Sequence, residues 1–81
     1  MGEVAAVYKI MLDMEKKEHI KDILKEIGAR EIQEEPIGFG ITALKVIFIL
    51  EDSSGNTEEL EKKINKIEGI NSVQVEGVSL V

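Results

Sequence analysis

The 81-residue sequence predicts an α+β domain: a four-stranded antiparallel sheet carrying two helices on one face. Three observations predict it. Apolar residues alternate with period two over residues 4–12 and 43–50, as in half-buried strands. They recur at helical spacing at Ile20, Ile23, Leu24 and Ile27, and again at Leu60, Ile64 and Ile67. Turn-forming residues (Gly28, Gly38, Gly40, Ser53-Ser54-Gly55-Asn56 and Gly69) fall between these segments.

The first strand, residues 4–12, places Ala6, Tyr8, Ile10 and Leu12 on one face and Ala5, Val7, Lys9 and Met11 on the other. Asp13 then offers its carboxylate as a helix cap, and Gly28 ends the helix as a C′ residue. Residues 31–37 form a weaker strand, in which Pro36 has no N–H to donate and suits a sheet edge. In the strongest strand, residues 43–50, Leu44, Val46, Phe48 and Leu50 alternate against Lys45, Ile47 and Ile49. Ser53-Ser54-Gly55-Asn56 is turn chemistry. Asn56 or Thr57 caps a second helix, with Glu59 completing a capping box. Gly69 closes that helix, leaving Ile70 to touch Ile64 in a Schellman arrangement. In the last strand, residues 72–78, Val73 and Val75 point inward and Gln74 and Glu76 outward.

The order is therefore strand, helix, strand, strand, helix, strand. Two right-handed strand-helix-strand halves interlock into a ferredoxin-like βαββαβ sandwich, with the first and third strands central and the others at the edges. One core is expected from Leu44, Val46, Phe48, Ile23, Leu24, Ile27, Ile64, Ile67 and Val73. The opposite sheet face carries Val7, Met11, Ile47 and Ile49 beside Lys9 and Lys45. An apolar patch there is expected to meet a partner or a second copy of the chain.

Composition bounds the function. Residues 1–81 make one domain, which buries only about 60% of the surface its unfolded chain exposes. No cysteine is present, so disulfides, thiol chemistry and cysteine zinc sites are excluded. No apolar run approaches the roughly 18 residues of a membrane span, and a cytoplasmic protein with no membrane partner is expected. The net charge of −6 argues against nucleic acid as a direct partner. Lys16, Lys17, Lys21 and Lys25 interleave with Glu15, Glu18, Asp22 and Glu26, as on a solvated helix face.

Catalytic constellations are absent. His19 lies in a charged helical stretch, away from any nucleophile. The pairs Glu34-Glu35, Glu51-Asp52 and Glu58-Glu59 are adjacent in sequence, and neighbours on a strand point to opposite faces rather than sharing a proton. The loop from Asp52 to Asn56 lacks the alternating ligands of a calcium hand. Gly38-Phe39-Gly40 lacks the lysine and helix of a phosphate-binding loop. No catalytic residue, metal ligand or cofactor is expected, and nothing reads as an enzyme.

The most informative segment is Glu34-Glu35-Pro36-Ile37-Gly38-Phe39-Gly40, closed by Ile41. Its glycines free the backbone for positive φ, and a large ring in such a loop either folds back onto the core or serves a partner. This run, with Ala43-Leu44-Lys45-Val46 and the acidic Glu51-Asp52 turn, resembles the archaeal elongation factor 1-beta family. So do the ending Ile67-Glu68-Gly69-Ile70-Asn71-Ser72-Val73-Gln74-Val75-Glu76-Gly77-Val78 and the opening Met1-Gly2-Glu3-Val4 with Lys9-Ile10-Met11. The resemblance covers nearly the whole chain. It implies a ferredoxin-like guanine-nucleotide exchange factor acting on elongation factor 1-alpha, the GTPase that delivers aminoacyl-tRNA. In that family the aromatic residue after the second strand enters a pocket on the GTPase, and Phe39 holds that position. The implied partner-binding set is Pro36, Ile37, Gly38, Phe39, Gly40, Leu80 and Val81. The chain departs from the family in two places. Where relatives, especially eukaryotic ones, carry a lysine or arginine reaching toward the Mg²⁺ site, this chain has Leu80. Only Leu12-Asp13 joins the first strand to the first helix, where relatives have a longer, proline-bearing segment. The rival reading is a ferredoxin-like regulatory or oligomerising domain that binds small molecules at inter-subunit seams.

Overall fold

In the computed structural model, which describes residues 2–51 and 56–80, the apolar runs become β1 (Glu3–Leu12), β2 (Glu31–Gly38), β3 (Ile41–Glu51) and β4 (Ile70–Leu80). The helical stripes become α1 (Lys17–Ile27) and α2 (Asn56–Asn65). The sheet order is β2-β3-β1-β4, antiparallel throughout, with both helices on one face. This is the ferredoxin-like arrangement, with the two most apolar strands central and Pro36 on an edge.

The inward alternation of β1 and β3 builds the core. Ala6, Tyr8, Ile10, Leu44, Val46 and Phe48 from the sheet are buried against Ile20 and Leu24 of α1 and Leu60 and Ile64 of α2. Ile23, Ile27 and Val73 pack half-buried at its margin. The Tyr8 ring meets Phe48 edge-on, with centroids 6.0 Å apart and planes at 75°, a favoured aromatic geometry. The Tyr8 hydroxyl is buried without a hydrogen-bond partner among the described residues. Burial pushes the phenol pKa up, and the charge of Glu61 adds to the shift.

Three local features differ from the sequence expectation. Asp13 caps a short 3-10 turn, Met14–Lys16, by accepting the Glu15 N–H at 3.2 Å, and that turn runs on into α1. At its other end α2 stops at Asn65, before Gly69. The chain leaves it through Ile67 N–H donating to Ile64 O at 3.0 Å, and Ile70 N–H then donates to Ile67 O across a turn rather than closing a Schellman pair. Gly69 is still required there. It sits at φ 98°, and a Cβ would lie 2.8 Å from Lys16 Cδ. Its carbonyl accepts the Asp13 N–H at 2.7 Å, tying this turn to the start of the first helical segment.

Finally, β4 is longer than residues 72–78 and shifts register against β1 at two points. Val75 pairs with Tyr8 on the helix side, yet is 42% exposed, because an edge strand has a neighbour on one side only. The expected turn at Ser53-Ser54-Gly55-Asn56, the capping side chains of Asn56 and Thr57, and the Asp52 loop lie outside the described residues.

Candidate functional site

The β2–β3 hairpin ends in a two-residue turn. Gly38 pairs with Ile41, leaving Phe39 and Gly40 between them. Both central residues have positive φ, 56° at Phe39 and 75° at Gly40. That is the requirement of a type I′ turn, whose twist matches the flanking strands and which normally takes Asn-Gly. Glycine adopts this conformation freely, whereas for a bulky aromatic it costs about 1–3 kcal/mol. Phe39 is nonetheless fully exposed, at 104% of its reference area. It is therefore no plug of the core.

The turn is flanked by a register shift between Pro36 and Gly38, which leaves Ile37 out of the ladder. Ile37 and Ile41 are 47% and 42% exposed, so the tip presents three large apolar side chains together with Phe39. Ile41 closes the most informative segment of the sequence but is absent from the implied partner-binding set. Its signal is the hairpin register, which seats it across from Gly38.

The arm that carries this tip runs past the end of β1, whose last pair with β3 is Ile10 with Leu44. Two contacts brace it. The Thr42 N–H donates to Met14 Sδ at 3.4 Å. On the helix side of β2, Glu34 accepts from Lys17 Nζ at 2.8 Å and Lys21 Nζ at 3.0 Å. The lysines expected on a solvated helix face thus clamp the hairpin to α1. Lys16 likewise pairs with Glu68 at 3.0 Å.

Hydrogen bonds from Lys17 and then Lys21 hold the Glu34 carboxyl below its ordinary value of 4.5. A depressed carboxylate contributes stability that is complete above its unfolded pKa and disappears as pH falls through the folded one. Glu34→Gln should therefore melt below wild type at pH 7, and the gap should close at pH below that ordinary value. Melting curves across pH 3–7 check this. A gap independent of pH would mean that Glu34 acts through packing instead.

Leu80, the other described residue of the expected site, lies elsewhere. Val4 pairs with both Leu50 and Leu80, so the end of β4 lies level with the far end of β3, across β1. From Ile41 to Leu50 the strand covers about 30 Å. The structure thus brings Pro36, Ile37, Gly38, Phe39 and Gly40 together and places Leu80 at the opposite end of the sheet. Only the backbone of Leu80 is described, and Val81 lies outside the described residues. Among the described residues no group of three His, Asp or Glu side chains is gathered for a metal. His19 is exposed on α1. No helix among them is long and apolar enough to cross a membrane.

Comparison with known proteins gives a consistent answer. The family model described as the EF-1 guanine nucleotide exchange domain matches residues 6–81. Elongation factor 1-beta of Methanoregula boonei is 42% identical, over 99% of this chain and 99% of its own length. Elongation factor 1-beta of Methanobrevibacter smithii is 42% identical over 93% of this chain and 92% of its own. That of Methanothermobacter thermautotrophicus is 38% identical over 96% of each.

Proposed function

This chain belongs to the family of EF-1 guanine nucleotide exchange domains, and from that premise we propose that it promotes exchange of GDP for GTP on elongation factor 1-alpha during protein synthesis. The observation that carries the reading is Phe39: a fully exposed aromatic held at φ 56° on the tip of a braced arm. A strained conformation presenting an apolar ring to solvent serves no end in the isolated domain, and it suits an anchor that enters a pocket.

An exchange factor works by binding the nucleotide-free GTPase more tightly than the GDP-bound one. By linkage, it then weakens GDP by the same factor by which GDP weakens it. The bound nucleotide is held largely through its phosphates and Mg²⁺, so a domain that displaces the elements around them releases it. The tip of the β2–β3 hairpin supplies one contact, with Ile37 and Ile41 flanking Phe39. The end of β4, at Leu80, supplies another, with Val81 following it in the sequence. Since these contacts stand about 30 Å apart, the partner lies along the length of the sheet. The partner is protein rather than RNA, in keeping with a net charge of −6. Exchange makes and breaks no covalent bond in this chain, and the function needs no catalytic residue. Its place of action is the cytoplasm, where translation occurs.

The test is GDP release from the elongation factor 1-alpha of the same organism. The GTPase is loaded with fluorescent GDP and chased with excess unlabelled nucleotide. Substoichiometric amounts of this protein should accelerate release severalfold or more. Release at the spontaneous rate would overturn the reading.

A further inference from the structure

The sheet register sets two lysines side by side at the centre of the face that the helices leave open. Lys9 of β1 lies directly opposite Lys45 of β3, and Gln33 and Gln74 complete the row across the sheet. Both lysines are half-buried. Neither forms an ion pair with any described residue. The neighbouring rows on that face hold Val7, Ile47, Met11 and Ala43, and the carboxylates Glu31 and Glu35 lie diagonal to Lys45 on the edge strand without forming an ion pair with it.

Like charges directly opposite one another destabilise a strand pair. In a chain of 16 acidic and 10 basic residues, two lysines meeting unpaired in mid-sheet is a conflict between sequence and fold. Such conflicts mark function. We propose that the GTPase lies across the open sheet face and seats a carboxylate of its own surface between Lys9 and Lys45. The inference rests on the exchange-factor reading and names where the body of the partner sits.

Continuity supports it. The outward residues of β3 (Ile41, Ala43, Lys45, Ile47 and Ile49) run in one line from the Phe39 tip to the end of the sheet where β4 finishes, one strand away across β1. A partner holding both ends crosses the lysines on the way, whereas α1 and α2 cover the other face. Charge complementarity selects the occupant. A second copy packed on this face about a two-fold axis through the lysine pair would gather four lysines at its centre. RNA binding draws on larger basic clusters than one pair.

The test uses Lys9→Met/Lys45→Met and, as a milder change, Lys45→Gln. Affinity for the nucleotide-free GTPase is measured over a range of salt concentrations, together with melting temperature and sedimentation. The double variant should melt at or above wild type, because the repulsion is gone. It should bind at least about tenfold more weakly, with a flatter salt dependence, and Lys45→Gln should fall between. Wild-type affinity and salt slope in the double variant would overturn this inference while leaving exchange activity intact. A fall in melting temperature would make the pair structural and overturn it too. A homodimer tightened by the double substitution would assign the face to a second copy instead. A wild-type protein that leaves GDP release unchanged would overturn the exchange reading and this inference together.

Discussion

Replacing Phe48 by alanine is expected to bring this domain close to global unfolding. Phe48 is 1% exposed and stands at the centre of the only buried cluster among the described residues, against both helices and the Tyr8 ring. Truncating a fully buried phenylalanine costs about 3–5 kcal/mol, the lost transfer energy plus the cavity left behind. A domain of this size has roughly 4–12 kcal/mol in total, at the usual figure per residue. Urea unfolding should therefore show the midpoint falling by at least about a quarter, with an unchanged slope if the transition stays two-state. Tyr8→Phe is the control. It keeps the ring that meets Phe48 and removes a buried hydroxyl that has no hydrogen-bond partner among the described residues. Deleting an unsatisfied group of that kind is neutral or stabilising. If Phe48→Ala proved mild, the core would be able to collapse around the missing ring. If Tyr8→Phe proved severe, the hydroxyl would be bonded in solution.

The contrast between these two residues shows what was legible in the sequence. Period-two alternation fixes which side of a strand faces the helices, so Ala6, Tyr8, Ile10, Leu44, Val46 and Phe48 could be assigned inward without coordinates. The strand order followed from crossover handedness, and the edge position of β2 from Pro36. What was hidden depends on register and on pairs distant in the chain. Lys17 and Lys21 look like members of a locally balanced helix face, and their bond to Glu34 exists only because α1 crosses β2. Lys9 and Lys45 are 36 residues apart and become neighbours only through the β1–β3 ladder. Val75 follows an inward pattern yet stays exposed, because β4 is an edge strand with a neighbour on one side only. At the tip, the glycines announced positive φ but not that Phe39 would share it. That follows from the type I′ form of this two-residue loop, which requires positive φ at both positions.

Phe39→Ala should lower catalysed GDP release by on the order of thirtyfold or more. Desolvated aromatic anchors commonly contribute 2 kcal/mol or more to an interface, and that much lost from the exchange transition state is a factor of about thirty. Stability should hardly change, because a side chain exposed at 104% makes no packing contribution to lose. A second substitution separates the ring from the backbone it strains. Asparagine accepts positive φ far more readily than phenylalanine and is the preferred residue at this position of a type I′ turn. Phe39→Asn should thus raise the melting temperature while losing exchange activity as fully as Phe39→Ala. A hairpin that grows more stable as it stops working is what a binding anchor predicts, and a merely structural phenylalanine predicts the reverse. Early melting of either variant would return Phe39 to a structural role. Exchange at the wild-type rate would move the contact with the GTPase away from the tip, toward Leu80 and the far end of the sheet.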